Sequence, residues 1–207
     1  MRPALRVLAV AAALALASVP GRAEASSALE LVRIARSLEQ GRQEDLALRR
    51  YMEALALDPT CEEAYLGLGS LRTRRGDLRE AERVYSVALE HLPQLRAARM
   101  ARAYVRRALG ANAEANQDLL AGHEDDVPTL RILAAWYGED GQTPAQLAIW
   151  RRITARAEVL GDAVLREEAR TKVRALVILV GPADPAAAPP GDQGVRRSVS
   201  RVARRGL

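Results

Sequence analysis

The sequence repeats itself at an interval of 34 residues, and no other feature of the chain constrains its fold as strongly. Four residues of one stretch recur in the next with unchanged type: Ala47, Tyr51, Ala54 and Pro59 are followed by Ala81, Tyr85, Ala88 and Pro93. Periods of this length are typical of helical repeats, in which each helix pair buries its apolar face against the next pair. The chain is therefore predicted to be all-α and built from antiparallel helix hairpins.

Each repeat supplies residues for two helices and for the turn between them. The first two units span 28–61 and 62–95. In the first unit, apolar residues that include Ile34 follow helical spacing until Gly41 interrupts them. In the second unit, Gly69 allows two helices to cross closely, and Gly76 allows the positive φ at which a chain leaves a helix. No segment shows the sustained alternation of apolar and polar residues that predicts a strand.

This pattern resembles the tetratricopeptide repeat, in which Leu-Gly or Leu-Ala, a Gly-Asp turn and the Ala–Tyr–Ala–Pro series occupy fixed positions. Two further units match it less closely. The unit 96–126 has Arg99 and Arg102 where the family has apolar residues, and the unit 129–157 keeps Gly141 and Trp150. The resemblance implies a right-handed α-solenoid of about four hairpins, two strong and two degenerate, over residues 28–157.

The N-terminal residues 1–25 have the pattern of a secretory signal peptide. Basic residues precede an apolar run of 12 residues from Val7 to Ser18, Pro20 and Gly21 break the run, and Ala23 and Ala25 have the spacing that signal peptidase accepts. A run of this length is shorter than the roughly 20 residues of a membrane-spanning helix. We expect cleavage after Ala25 and export of the chain to the periplasm or the medium.

The C-terminal part divides into a helix and a tail. Within the repeat domain 26–180, residues 163–180 are predicted to form a helix that caps the stack, with Leu176 to Val180 packed against the fourth unit. The segment 181–207 has four prolines, three glycines before Arg196 and no apolar periodicity, so it is predicted to be disordered.

The charge balance excludes one class of partner and leaves another open. Residues 26–181 carry 23 basic and 23 acidic side chains, which does not support a nucleic-acid-binding face. The tail carries five arginines and two aspartates, a composition that is compatible either with a contact with an anionic membrane or glycan or with a disordered tail that makes no such contact. Four further arginines lie at helical spacing in the third unit: Arg96, Arg99, Arg102 and Arg106. This stripe is either a site for an acidic partner or a solvated helix face.

No group of residues predicts a catalytic, cofactor or metal site. Cys61 is the only cysteine and falls at a unit boundary, where a small buried residue is sufficient. His91 and His123 lie 32 positions apart without ligand-spaced partners. The sequence therefore predicts that the protein is not an enzyme and binds no cofactor or metal.

The resemblance also implies where a protein partner would bind, because the first helix of each tetratricopeptide hairpin lines the concave groove. The period assigns eight residues to that groove: Val32, Arg36, Leu66, Ser70, Thr73, Met100, Tyr104 and Arg107. The function predicted first is a non-catalytic scaffold of the bacterial cell envelope that binds a partner segment there. The alternative is a protein that associates with the envelope through its basic tail, with the repeats acting as a spacer.

Overall fold

A computed structural model describes residues 20–121 and 125–181, with side-chain detail from residue 25 onward. Over these residues the chain forms nine α-helices and no strand, which confirms the all-α fold class. The apolar run of the predicted signal peptide, His123 and the tail from residue 182 lie outside the described residues. The chain divides into two compact units, Met1–Asp118 and Leu119–Leu207.

Six helices make up the described part of the first unit and its boundary. They are α1 (Pro20–Gln40), α2 (Glu44–Leu57), α3 (Glu62–Arg74), α4 (Leu78–His91), α5 (Arg96–Ala108) and α6 (Asn112–Leu120). Consecutive helices α1 to α5 pack against one another as hairpins, and the alternate helices α1, α3 and α5 are also neighbours. The predicted hairpin architecture is therefore present in this unit.

The turns inside the hairpins use one left-handed residue each. Gly76 and Gly110 have φ values of 81° and 80°, where a residue without Cβ meets no steric penalty. In the first hairpin, however, this conformation belongs to Arg42, with φ of 57°, and Gly41 is absent from the left-handed region. Residues 42, 76 and 110 keep the 34-residue interval, so the geometry of the turn follows the repeat even where the glycine does not.

Two tyrosines fill the space left by glycines where helices approach closely. A Cβ added to Gly69 would lie 2.4 Å from the Tyr85 ring, and one added to Gly67 would lie 2.4 Å from the Tyr51 ring. Tyr51 on α2 thus contacts the following hairpin, whereas Tyr85 on α4 contacts α3 of its own hairpin. Both rings are buried, at 1% and 3% exposure, and belong to the core of the unit.

The second unit contains three helices among its described residues beyond α6: α7 (Val127–Glu139), α8 (Thr143–Leu160) and α9 (Ala163–Val180). Two of them begin at side-chain caps, because Asp126 accepts a hydrogen bond from the Thr129 amide and Asp162 accepts one from the Leu165 amide. Helix α8 packs against both α7 and α9. The core of this unit includes Leu130, Leu133, Trp136, Trp150 and Ile153.

One local expectation differs from the structure, at the end of α9. Leu176 is buried, as expected, but Ile178 and Leu179 are 81% and 74% exposed, so the apolar end of α9 does not pack as a block. The helix turns these two side chains away from α8. No helix in the described ranges is both long and apolar enough to cross a bilayer.

Candidate functional site

The predicted groove residues all lie on the first helices of the hairpins in the first unit. Helix α1 carries Val32 and Arg36, α3 carries Leu66, Ser70 and Thr73, and α5 carries Met100, Tyr104 and Arg107. Because α1, α3 and α5 are neighbours, residues at equivalent positions form a row from helix to helix. Seven of these residues form what we call the first-helix face: Arg36, Leu66, Ser70, Thr73, Met100, Tyr104 and Arg107.

Val32 does not belong to this face. It is 1% exposed and packs in the core with Ala28 and Ala35, so it has no surface to offer a partner. Ile34, which the repeat pattern places in the core, is instead 40% exposed. Helix α1 is therefore rotated about its axis relative to the pattern of α3, because the small side chains Ala28 and Ala35 allow it to pack closely on the side that includes Val32.

The remaining residues combine one prominent aromatic side chain with polar and apolar neighbours. Tyr104 is 48% exposed, Arg36 is exposed, and the other five side chains are half-buried. Met100 lies four residues before Tyr104 and therefore on the same side of α5. A surface of this kind can hold an extended segment or a helix by apolar contacts to the aromatic ring and hydrogen bonds to Ser70 and Thr73.

Hydrogen bonds hold part of the face in place and repeat with the period of the chain. The Tyr51 hydroxyl donates to Glu39 Oε1 at 2.5 Å, and the Tyr85 hydroxyl hydrogen-bonds Thr73. Each partner lies 12 residues before its tyrosine, so the two contacts occupy equivalent positions in the repeats 28–61 and 62–95. Burial, together with the Glu39 carboxylate, raises the pKa of Tyr51, and burial raises that of Tyr85. Both phenols are neutral at physiological pH, and the Tyr51 phenol is the hydrogen-bond donor to Glu39.

Arg74 was missed by the sequence analysis, although it links two helices at the edge of the face. Its guanidinium is paired with the Glu39 carboxylate of α1, and its Nη1 donates to Ser70 Oγ at 3.1 Å. Arg74 follows Thr73 directly, and Glu39 occupies the position in the repeat 28–61 that Thr73 has in the repeat 62–95. The 34-residue period, which assigned the other residues to the face, therefore also relates Glu39 to the neighbour of Arg74 and indicates this pair.

At Arg102 and Arg106, the arginine stripe of α5 is neither a solvated helix face nor a site for an acidic partner, because both side chains are paired within the protein. Arg102 makes two bonds to the Asp118 carboxylate, from Nη2 to Oδ1 at 2.6 Å and from Nε to Oδ2 at 2.9 Å. Arg106 donates to Asp118 Oδ2 at 2.9 Å and to Glu82 Oε1 at 2.7 Å. The Asp118 side chain is only 7% exposed. These residues form the Asp118 cluster, which joins α4, α5 and α6.

The other residues considered for chemistry have structural surroundings. Cys61 is buried, and burial raises the pKa of its thiol, which disfavours the reactive thiolate. His91 stacks on the Tyr65 ring at a centroid distance of 6.2 Å. Within the described ranges, no group of three or more His, Cys, Asp or Glu residues has the arrangement of a metal site.

Comparisons with known proteins bear on the fold. No family model matches the chain, and no curated protein does. Among solved structures, a tetratricopeptide repeat protein from Parabacteroides merdae ATCC 43184 is similar with a TM-score of 0.56 and 19% identity, over 73% of this chain. This chain spans only 60% of the length of that protein.

Two structures of another protein are similar over nearly their whole length. The MamA RS-1 ArsTM double mutant matches with a TM-score of 0.52 and 18% identity, over 74% of this chain and 96% of its own. MamA protein matches with a TM-score of 0.51 and 17% identity, over 79% of this chain and 98% of its own. With the repeated tyrosine contacts and left-handed turns, these similarities confirm the predicted resemblance, and the chain has the helical fold of tetratricopeptide repeat proteins.

Proposed function

We propose that this protein is a non-catalytic adaptor of the bacterial cell envelope, which holds a segment of a partner protein on its first-helix face. The observation that carries the proposal is the 48% exposed Tyr104 on α5, one turn from the half-buried Met100. Tyrosine and arginine are the residue types that contribute most at protein interfaces, because each combines a large contact area with directional hydrogen bonds. The face presents both types.

The polar residues of the face support the same function because hydrogen bonds within the protein already fix the positions of their side chains. Thr73 Oγ1 donates to the Gly69 carbonyl at 2.8 Å and also bonds Tyr85, and Ser70 accepts from Arg74. A partner that binds there loses less conformational entropy than one that must order these side chains itself. The expected ligand is a segment with an apolar or aromatic residue for Tyr104 and hydrogen-bonding groups for Ser70 and Thr73.

The location in the envelope rests on the pattern of residues 1–25. The basic start, the apolar run and the Ala23–Ala25 spacing together favour export with cleavage after Ala25. Mass spectrometry of the N-terminus of the protein from its native cells tests this directly. A mature chain that begins at Ser26 and is recovered from the envelope or the medium supports export. A chain that retains Met1 and is recovered from the cytoplasm overturns it.

The binding proposal is tested by a cross-linking pull-down from envelope extract with the wild-type chain and three variants. Tyr104→Glu and Leu66→Glu place a charge on the first-helix face. Val87→Glu is the matched control, because Val87 is 41% exposed on α4, a second helix of its hairpin. Each variant is first shown to keep the helical circular dichroism and melting temperature of the wild type.

The partner recovered by the wild type is then produced alone, and its dissociation constant is measured for each variant. We expect Tyr104→Glu to weaken binding by roughly 30-fold or more, in the range of an interface hot spot of about 2 kcal/mol. The control should change the affinity by less than about threefold. Equal binding by all four chains would exclude the first-helix face as the site.

A further inference from the structure

An open cleft lies between α8 and α9 in the second unit, on a surface that the proposed function does not use. Its volume is about 410 Å³, and pockets that hold ligands have volumes of about 300–1,000 Å³. The charged side chains that line it are three arginines and one glutamate: Arg151, Arg170, Arg174 and Glu158. Positive charge therefore exceeds negative charge in the cleft.

The arginines of the cleft are held only loosely by the protein. Arg170 Nη2 donates to Glu158 Oε1 at 2.9 Å, and these side chains are 49% and 50% exposed. Arg174 Nη2 donates to Glu167 Oε1 at 2.8 Å, and both side chains are more exposed still. Exposed pairs contribute little to stability, so a carboxylate of a ligand can replace either glutamate. Arg151 is exposed and has no ion pair with an acidic side chain in the described ranges.

The positive charges are spread along the cleft instead of being gathered at one point. Helices α8 and α9 are antiparallel, and the pair of Glu158 with Arg170 shows which residues of the two helices are level. Arg151 lies two turns before Glu158, which is about 10 Å along the helix axis. A single phosphate or carboxylate is much shorter than this, whereas an extended chain covers the distance in about three residues. The spacing therefore indicates a ligand with two separated anionic groups.

The surface between these charges is apolar. Ala155 and the half-buried Val173 line the cleft, and Val177, one turn after Val173 on the same side of α9, is 41% exposed. An apolar side chain placed there would leave water. A nucleic acid is a poorer fit, because none of the lining residues is an aromatic ring on which bases could stack, and Glu158 would repel phosphates.

We propose that the cleft between α8 and α9 binds an extended acidic segment of a partner protein, with two carboxylates about three positions apart and an apolar residue between them. One carboxylate bonds Arg151, and the other replaces Glu158 at Arg170. The planar guanidinium group suits this role because it can donate two parallel hydrogen bonds to a carboxylate. The site lies in the other unit from the first-helix face and does not depend on what that face binds.

The test is fluorescence anisotropy with the full chain and four labelled peptides that are capped at both ends. Each peptide has two glutamates with a leucine between them, and the glutamates lie two, three, four or five positions apart. We expect the tightest binding at a separation of three. Replacement of both glutamates by glutamine in that peptide should weaken binding by at least about 20-fold, since two exposed ion pairs are lost.

Variants of the chain locate the binding site. Arg151→Gln should weaken binding about fivefold, and its combination with Arg170→Gln roughly 25-fold. Glu158→Gln should strengthen binding about two- to threefold, because Arg170 loses its competing carboxylate; a variant that acts by unfolding the protein would not do this. Lys172→Gln is the matched control, since Lys172 is exposed on α9 outside the cleft lining. Tyr104→Glu should also bind as the wild type does.

Several outcomes would overturn the proposal. Equal binding of the four peptides, or equal loss in Arg151→Gln and Lys172→Gln, would show only unspecific attraction of charges. Displacement of the peptide by an equal concentration of inorganic phosphate would show a simple anion site. Tighter binding of a single-stranded oligonucleotide would identify a nucleic-acid site, and a dimer that Arg151→Gln dissociates in sedimentation would identify a second copy of the chain. Dissociation constants above about 1 mM for all four peptides would leave the cleft without this ligand.

Discussion

Arg42 has a left-handed backbone conformation, whereas the equivalent position in each of the next two repeats is a glycine. Its φ of 57° lies in the left-handed region, and the residues one and two periods later are Gly76 and Gly110. A residue with a Cβ loses about 1 kcal/mol in that region relative to glycine. The side chain of Arg42 is exposed, so its removal exposes no core. The strain at this turn is thus separable from packing.

We therefore expect Arg42→Gly to stabilise the first unit by about 1 kcal/mol, because it removes the left-handed penalty. Arg42→Ala keeps the Cβ and should leave stability within about 0.5 kcal/mol of the wild type. The converse change, Gly76→Ala, should destabilise by about 1 kcal/mol, although no atom lies within 4 Å of the added Cβ. Urea unfolding followed by circular dichroism measures all three. A destabilised Arg42→Gly variant would contradict this account.

Three buried tyrosines make the fold sensitive to alkaline pH. Burial is the first cause that raises the pKa values of Tyr51, Tyr65 and Tyr85. Above a pH of about 10 the unfolded chain releases phenolic protons that the folded chain still holds, so stability falls as pH rises. Each tyrosine contributes up to about 1.4 kcal/mol per pH unit between its unfolded and folded pKa values. Below that range this contribution to stability is fully present.

The variant Tyr51→Phe tests this contribution. At neutral pH it should cost about 1 kcal/mol, because the hydrogen bond to Glu39 is lost. Above a pH of about 10 its stability should decline less steeply than that of the wild type, since one proton fewer is released on unfolding. Urea titrations at a series of pH values give both quantities. Parallel curves for the two chains at high pH would rule out Tyr51 as a source of the decline.

Most residues of the candidate site could be predicted from the period, but not the rotation of each helix. The interval of 34 places Arg36, Ser70 and Tyr104 on α1, α3 and α5, where the structure has them. Val32 is buried because Ala28 and Ala35 let α1 pack closely on that side. That rotation depends on the neighbouring helices, and a repeat pattern that averages over units does not contain it.

At the scale of helices, close packing within the first unit depends on glycines that face tyrosine rings. A methyl group at Gly69 would meet the Tyr85 ring at 2.4 Å, and the rigid ring is enclosed by the core. In the second unit, Gly138 of α7 also faces a side chain, but the nearest atom is the amide nitrogen of Gln146, at 2.5 Å. A flexible amide can move aside, whereas a buried ring cannot.

The two glycines therefore predict opposite results for one substitution. Gly69→Ala should destabilise by about 2 kcal/mol, because overpacking outweighs the better helix propensity of alanine. Gly138→Ala should be neutral or stabilising by up to about 0.5 kcal/mol. Thermal unfolding of both variants provides the comparison. If Gly69→Ala were as stable as the wild type, the ring contact would have no energetic importance.

The Asp118 cluster replaces apolar contacts with ion pairs in the third hairpin. Arg102 stands one period after Leu68, which is 5% exposed, and Asp118 stands one period after the half-buried Val84. Burial disfavours the charged form of Arg106, but the ion pairs with Glu82 and Asp118 raise its pKa overall. The sequence signal for the pair of Arg102 and Asp118 was the opposite charge at two positions that are apolar in the preceding repeat. Comparison with the family pattern alone showed only that arginine stands where the family has an apolar residue.

Removal of the shared carboxylate should be costly. We expect Asp118→Asn to destabilise the first unit by about 3–5 kcal/mol, because two partly buried guanidinium groups lose their counter-charge. Glu80→Gln is the control, since its pair with Arg83 is exposed and should contribute less than about 1 kcal/mol. The triple change of Arg102, Arg106 and Asp118 to leucine should recover most of the loss. A triple variant no more stable than Asp118→Asn would contradict this explanation.

For the molecule as a whole, the period predicts the kind of fold but not where each unit begins. The left-handed turns at residues 42, 76 and 110 keep the interval of 34, and Gly141 then follows Gly110 after only 31 residues. Gln146 and Trp150 stand 31 residues after Ala115 and Leu119, so two positions that mark the period in earlier repeats have changed residue type in the fourth repeat. The position of Gly141 was therefore the remaining sequence signal for the shorter repeat.

Repeat proteins are held together by contacts between neighbouring elements, so a local defect should act mainly on its own unit. Leu71 in the first unit and Leu133 in the second are both 0% exposed. Each replacement by alanine should cost about 2–5 kcal/mol. In hydrogen-exchange mass spectrometry, Leu71→Ala should reduce protection in α1–α5 more than in α7–α9, and Leu133→Ala should do the reverse. Loss of protection to the same extent in both units, for either variant, would show that the chain unfolds as one cooperative body.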